Sequence, residues 1–231
     1  MFYKTTLNLA MILAAMNAMA EQERIDFSDP TSAFSAAEIT AGTDGAGLGL
    51  TLAGALTPDW AFLSKLEARN NAEMYRARLA AVSSNFGTGL MLDYIKHEDF
   101  HKDIEDSKSD TLVINAMQVL PLNEGKTLIV PIIGVGYTDN DLARTKTNIW
   151  MVQAMLIHNW TDQIWTNFIP MWTTGFSNMD MKYGIPDQEV KSFDIEFLAG
   201  YRFKDNQNIR LHVANNEDDT TEVWGAYTYA F

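Results

Sequence analysis

Between Lys191 and Phe203 the chain alternates. Phe193, Ile195, Phe197, Ala199, Tyr201 and Phe203 fall on one side of an extended backbone, and Ser192, Asp194, Glu196, Leu198, Gly200 and Arg202 fall on the other. A strand sends successive side chains to opposite faces, so this period-2 pattern describes a strand whose faces meet different media. An aromatic face set against a face carrying both signs of charge leaves few folds open. A soluble sandwich or lipocalin-like barrel would bury the apolar face as a core. A membrane barrel would turn it to lipid and the polar face to the lumen, which also explains charges of both signs at mid-strand.

The pattern recurs along the chain. Strands are predicted at 45–56, 60–69, 73–83, 87–97, 110–120, 127–137, 147–159, 164–175, 190–203, 208–216 and 221–231. Most run to about ten to fourteen residues, close to the length that spans a bilayer at a tilt. Thr57-Pro-Asp59, Asn123-Glu-Gly125, Asp205-Asn206 and Asn215 to Asp219 supply turn residues between them. Residues 98–109, 138–146 and 176–189 are longer polar connections, whereas 121–126, 160–163 and 204–207 are short. Short periplasmic turns alternating with longer extracellular loops is the asymmetry of a bacterial barrel. Eleven strands is an odd number, and single-chain bacterial barrels have even ones. Ser32 to Gly42 (SAFSAAEITAG) is the best candidate for the missing first strand, with a short helix or a periplasmic plug as alternatives. The expectation is an all-β, antiparallel, up-and-down transmembrane barrel of twelve strands, with ten as the alternative.

Residues 1–20 read as a cleaved secretory signal. Lys4 precedes the apolar stretch Leu7–Met16, and Ala18-Met-Ala20 is a small-x-small cleavage site. That stretch is too short to anchor the chain across roughly 30 Å of hydrocarbon. Three segments are expected: signal 1–20, an N-terminal periplasmic segment 21–44 able to hold the first strand, and a barrel over 45–231. There is no cysteine, so no disulfide framework is available. The chain is 47% hydrophobic yet shows no later run of 18 apolar residues, which a membrane protein can combine only in a closed barrel. The net charge of −13 argues against a nucleic-acid partner. It would favour cations at a pore mouth, or reside only in solvated loops.

Alternation assigns the faces of other strands. Tyr75, Ala77, Leu79 and Ala81 oppose Arg76 and Arg78; Trp60, Phe62, Leu66 and Ala68 oppose Lys65, Glu67 and Arg69; Ile209, Leu211 and Val213 oppose Arg210 and His212. The expected lumen-lining set is Lys65, Glu67, Arg69, Arg76, Arg78, Asp93, Asp194, Glu196, Arg202, Arg210, His212 and Glu222. Such charges either pair to fill a narrow barrel or line a pore and set its selectivity. Residues 127–137 and 147–157 are apolar on both faces, so Met and Trp side chains or an inward loop would fill part of the lumen. Pro131 and Pro170 each lack a ladder donor and call for bulges or interrupted pairing.

The last strand, TEVWGAYTYAF, places Val223, Gly225, Tyr227, Tyr229 and Phe231 on one face. Closing on Phe, it resembles the C-terminal strand of Gram-negative outer-membrane β-barrels. The resemblance implies that Tyr227, Tyr229 and Phe231 are read by the barrel-assembly machinery, that outer-membrane lipid surrounds the protein, and that it resides in the cell outer membrane. Thr111 to Val135, followed by the Trp-rich 150–172, is further similar to outer-membrane transporters grouped with aromatic-degradation operons, which would imply uptake of small, apolar solutes.

His97-Glu-Asp-Phe-His101 has the form H-E-x-x-H, whose chemistry requires both histidines on one helix face. Here it lies where a strand enters a polar loop, so His97 and His101 are at most weak metal candidates. Ser192 and His212 are the one strand Ser–His combination that neighbouring strands could bring together. His158 falls on the lipid or interface face beside Trp160. No cofactor is expected. The function class is a passive channel or transporter for small solutes; the alternatives are an outer-membrane enzyme acting on lipid or peptide and a closed structural or adhesive barrel.

Overall fold

A computed structural model describes residues 25–98, 108–215 and 220–231. The predicted signal and His101 lie outside the described residues. The strands are β1 (Ala36–Gly42), β2 (Gly45–Thr57), β3 (Trp60–Arg69), β4 (Met74–Ser83), β5 (Thr88–His97), β6 (Ser109–Gln118), β7 (Leu120–Leu122), β8 (Thr127–Asn140), β9 (Thr147–Asn159), β10 (Ile164–Gly175), β11 (Lys191–Lys204), β12 (Gln207–Asn215) and β13 (Thr221–Ala230).

Each strand pairs antiparallel with its neighbours, and β1 pairs with β13, so the sheet closes on itself. Both β6 and β7 pair with β8, and they form one stave interrupted at Val119. The barrel therefore has the expected twelve staves. The interruption has a local cause. Pairing stops at Met117–Ile132 and resumes at Leu120–Ile129, leaving a gap opposite Pro131, which has no N–H to give. The Val119 N–H turns instead to the Gly87 carbonyl, at 2.8 Å. Pro170 acts likewise: β9–β10 pairing skips from Phe168–Leu156 to Met171–Gln153 without a change of register.

Most strands start or end within two residues of the sequence expectation, and two boundaries differ by three or more. β8 continues three residues beyond Tyr137, because Thr138, Asp139 and Asn140 pair with Thr111, Asp110 and Ser109. The first strand starts at Ala36, since residues 25–35 take another path described below.

One end of the barrel carries the short connections, Phe231 and residues 25–35. The other carries 98–108, 141–146 and 176–190. The outer wall is apolar all round: Leu48, Leu66, Leu79, Leu90, Ile114, Ile133, Phe197 and Leu211 are each at least 45% exposed. A continuous apolar exterior of this size is stable against lipid and not against water.

The interior divides into two sectors. On β6 and β8–β11, Val113, Leu128, Val130, Ile132, Ile149, Met151, Ile157, Trp165 and Leu198 pack into one buried cluster with Val119. Trp165 can lie flat against the wall because β11 has a glycine there: a Cβ on Gly200 would sit 2.2 Å from the indole. A second cluster, Ala143, Met179 and Met181, forms in the long loops, and Val190 packs against both. The apolar filling therefore runs up into the 176–190 loop. Most charged side chains of the interior lie in the other sector.

Candidate functional site in the barrel interior

The charged sector depends on a strip of small residues. The inner face of β2 is Gly47, Gly49, Thr51 and Ala53. Gly49 pairs with Glu38 on β1 and with Glu67 on β3, and a Cβ there would lie 3.3 Å from the Cβ of Glu38. Two carboxylates thus lean toward each other over a strand that offers no side chain to separate them. Lys65 lies between, with Nζ 3.4 Å from Glu38 Oε1 and 3.0 Å from Glu67 Oε1. Arg69 Nη2 reaches Glu67 Oε1 at 2.9 Å. Arg210 pairs with Glu38 from across the barrel closure, and Thr228 Oγ1 donates to the same carboxylate at 3.1 Å.

Asp93 forms a second centre. Arg76 binds it through both Nε, at 2.8 Å, and Nη2, while Arg78 Nε lies 3.3 Å from Oδ2. The fork geometry gives this pair direction as well as charge. A third centre is Glu196, whose Oε1 is 2.6 Å from His212 Nδ1. The imidazole stacks on Trp224 at 4.7 Å and 14°, and the Arg69 guanidinium sits 5.4 Å from the same indole.

Of the remaining predicted lumen residues, Asp194 accepts from Ser192 Oγ at 3.1 Å. Arg202 is buried near the short-turn end and donates to the Ile25 carbonyl at 2.7 Å. Glu222 lines a small cavity at the long-loop rim with Arg69 and Trp224. Glu38 and Thr228 are the members that the sequence reading left out. Glu38 was within reach of the same alternation, because Ala37, Ile39 and Ala41 oppose it in the candidate first strand, but a strand of alanines gives a faint apolar face.

The sign of this interior is set by exposure rather than by count. Glu67, Asp93 and Glu38 side chains are 2%, 6% and 8% exposed. Their partners Lys65, Arg210, Arg76, Arg69 and Arg78 are 17%, 19%, 23%, 25% and 27% exposed. The carboxylates lie against the wall and the cations cover them. Glu196, at 30%, is less covered and is engaged by His212, and Asp194 and Glu222 are also partly exposed. Several polar atoms here have no protein partner among the described residues, including Arg69 Nε, Arg210 Nε, Trp224 Nε1 and both amide atoms of Asn115 and Asn208. Groups of this kind suit water or a polar solute.

The enzymatic readings meet different geometry. His97 ends strand β5, paired with Met74 and Ser109, so it does not stand on the helix that an H-E-x-x-H zinc site requires. Glu98 beside it is taken by Lys96 and by Lys108 at 3.0 Å, and these hydrogen bonds hold its carboxyl below the usual range. Among the described residues no group of three or more His, Asp or Glu could hold a metal. Ser192 and His212 are not brought together: His212 pairs with Leu198, six residues along β11 from Ser192, roughly 20 Å. His158 faces outward, 2.9 Å from Thr127 Oγ1 and edge-on to Trp160. Tyr227 is on the outer face, stacked near Phe203 with its hydroxyl on Gln207, 3.0 Å away; the Phe231 N–H donates to the Ser35 carbonyl. Tyr229 pairs with Ala37 and Gln207 at the closure.

No protein-family model matches the chain, and no curated protein matches it. Solved structures do. The KdgM porin, in a structure with disordered oligogalacturonate, aligns with a TM-score of 0.51 at 8% identity, over 85% of this chain and 98% of that one. The NanC porin aligns with a TM-score of 0.53 at 7% identity, over the same shares of the two chains. At these identities the likeness is one of fold. The chain has the fold of Gram-negative outer-membrane β-barrel proteins.

Proposed function

We propose that this outer-membrane barrel passes small solutes and prefers anions. The observation that carries the preference is the covering of Glu38, Glu67 and Asp93 by more exposed Lys and Arg heads. A solute moving along the charged sector meets guanidinium and ammonium groups first, although the whole chain is acidic. Selectivity follows the groups that face the passage. The apolar sector opposite offers a dry wall to a hydrocarbon portion, so small organic anions fit the two-sided interior better than inorganic ones. KdgM, whose structure includes an oligogalacturonate, supports the class of function at the level of fold.

The test is the reversal potential of refolded mature protein in a planar bilayer under a salt gradient. Anion preference is expected, and Arg76→Glu with Arg78→Glu should weaken or reverse it. A wild-type barrel that prefers cations would sink the reading.

A further inference from the structure

Residues 25–35 do not hang from the barrel. Phe27 packs against the apolar cluster of the interior and meets Phe34 edge-on at 5.1 Å. The Ile25 N–H donates to the Asp205 carbonyl at 3.2 Å, and its carbonyl accepts from Arg202. Ser28 and Ser35 are buried. The segment is shaped by its own short-range bonds: Asp26 accepts from the N–H and hydroxyl of Ser28, and Asp29 does the same for Thr31. Such Asx turns fold a short segment back on itself without a helix or strand. An inward-facing arginine therefore ends on this segment, and an aromatic ring from it joins the lumen cluster at the end with the short turns.

From this we infer that residues 25–34 are a plug that closes the periplasmic end of the channel and must move for solute to pass. The inference rests on the channel reading above. The segment has what a displaceable stopper needs: one aromatic anchor, two contacts to the wall at residue 25, and no ladder pairing to either neighbouring strand. Its tether is firm, since Ser35 accepts from Phe231 and its hydroxyl accepts from the Ala53 N–H at 3.2 Å. A hinge at Ser35 lets the segment swing while the barrel stays closed.

The chain has no cysteine, so Ile25→Cys with Asp205→Cys introduces a single possible disulfide. A backbone hydrogen bond of 3.2 Å joins these residues, a closeness compatible with a disulfide. In a planar bilayer the oxidised double variant should show a lower open probability than after reduction, about tenfold or more if the free gate is open a tenth of the time or more and the locked one a hundredth or less. Phe27→Ala, which changes no strand residue, should raise the open probability without any disulfide. Failure of the disulfide to form in folded protein would overturn the placement. Equal, measurable conductance before and after reduction would overturn the gating and leave the channel reading intact. A disulfide that forms in a barrel silent in every state, Phe27→Ala included, would instead sink the channel reading and leave nothing for the segment to gate.

Discussion

Glu67→Gln removes one negative charge from the most enclosed carboxylate of the network. The side chain is 2% exposed and accepts from Lys65 at 3.0 Å and Arg69 at 2.9 Å. Deleting one member of a fully buried pair costs roughly 3–5 kcal/mol, because the other charge is left without compensation. Three features reduce that here. Lys65 keeps Glu38 at 3.4 Å, Arg69 still lies over the Trp224 ring, and both cations are partly exposed. The expected loss is about 2 kcal/mol. Urea titration of the refolded barrel in lipid vesicles, followed by tryptophan fluorescence and by heat-modifiable gel mobility, would measure it. The same substitution uncovers one cation, so the reversal potential should move toward stronger anion preference. A variant within about 0.5 kcal/mol of wild type would show that water, not Glu67, compensates the two cations, and the argument from exposure would fall.

Other substitutions test the wall and its assembly. Phe197→Arg places a charge on the lipid face and should cost roughly 2–4 kcal/mol near the midplane, while Glu196→Arg stays in the polar interior; equal tolerance of the two by the same titration would contradict the face assignment. Gly200→Val should destabilise by roughly 1–3 kcal/mol by pressing a side chain into Trp165, and Trp165→Ala should relieve part of it in a double-mutant cycle. Phe231→Ala should lower the folded fraction recovered from outer-membrane preparations; unchanged recovery would remove Phe231 from the assembly signal.

The strands were legible because a membrane barrel enforces alternation on almost every stave: lipid and lumen select opposite side chains at every second position. Residues 60–69, 147–159 and 164–175 fold over the boundaries that alternation and turn residues define. The interruptions were legible in kind, since Pro131 cannot donate, but the gap appears on the facing strand at Gln118 and Val119, a place only register determines. Alternation sorts charges onto strand faces, though it passed over Glu38; which acid is covered by which base was not legible, because Glu38 meets Arg210 across 172 positions of chain. The N-terminal segment was least legible. Residues 25–35 have no periodicity, and their contacts reach Arg202 and Asp205, more than 170 positions away.

The closure between β1 and β13 also dictates an order of events. β1 is seven residues long, and it cannot complete its pairing until the final strand has formed. Its one carboxylate, Glu38, finds Arg210 and Thr228 only at that moment. Contacts separated by nearly the whole chain are slow to form, because loop-closure entropy is spent before they return anything. Until then, a nascent barrel carries an open edge beside a carboxylate that Lys65 alone meets, ill suited to hydrocarbon. An open sheet that enters the bilayer early therefore bears the cost of two unpaired edges, a penalty that a closed cylinder does not.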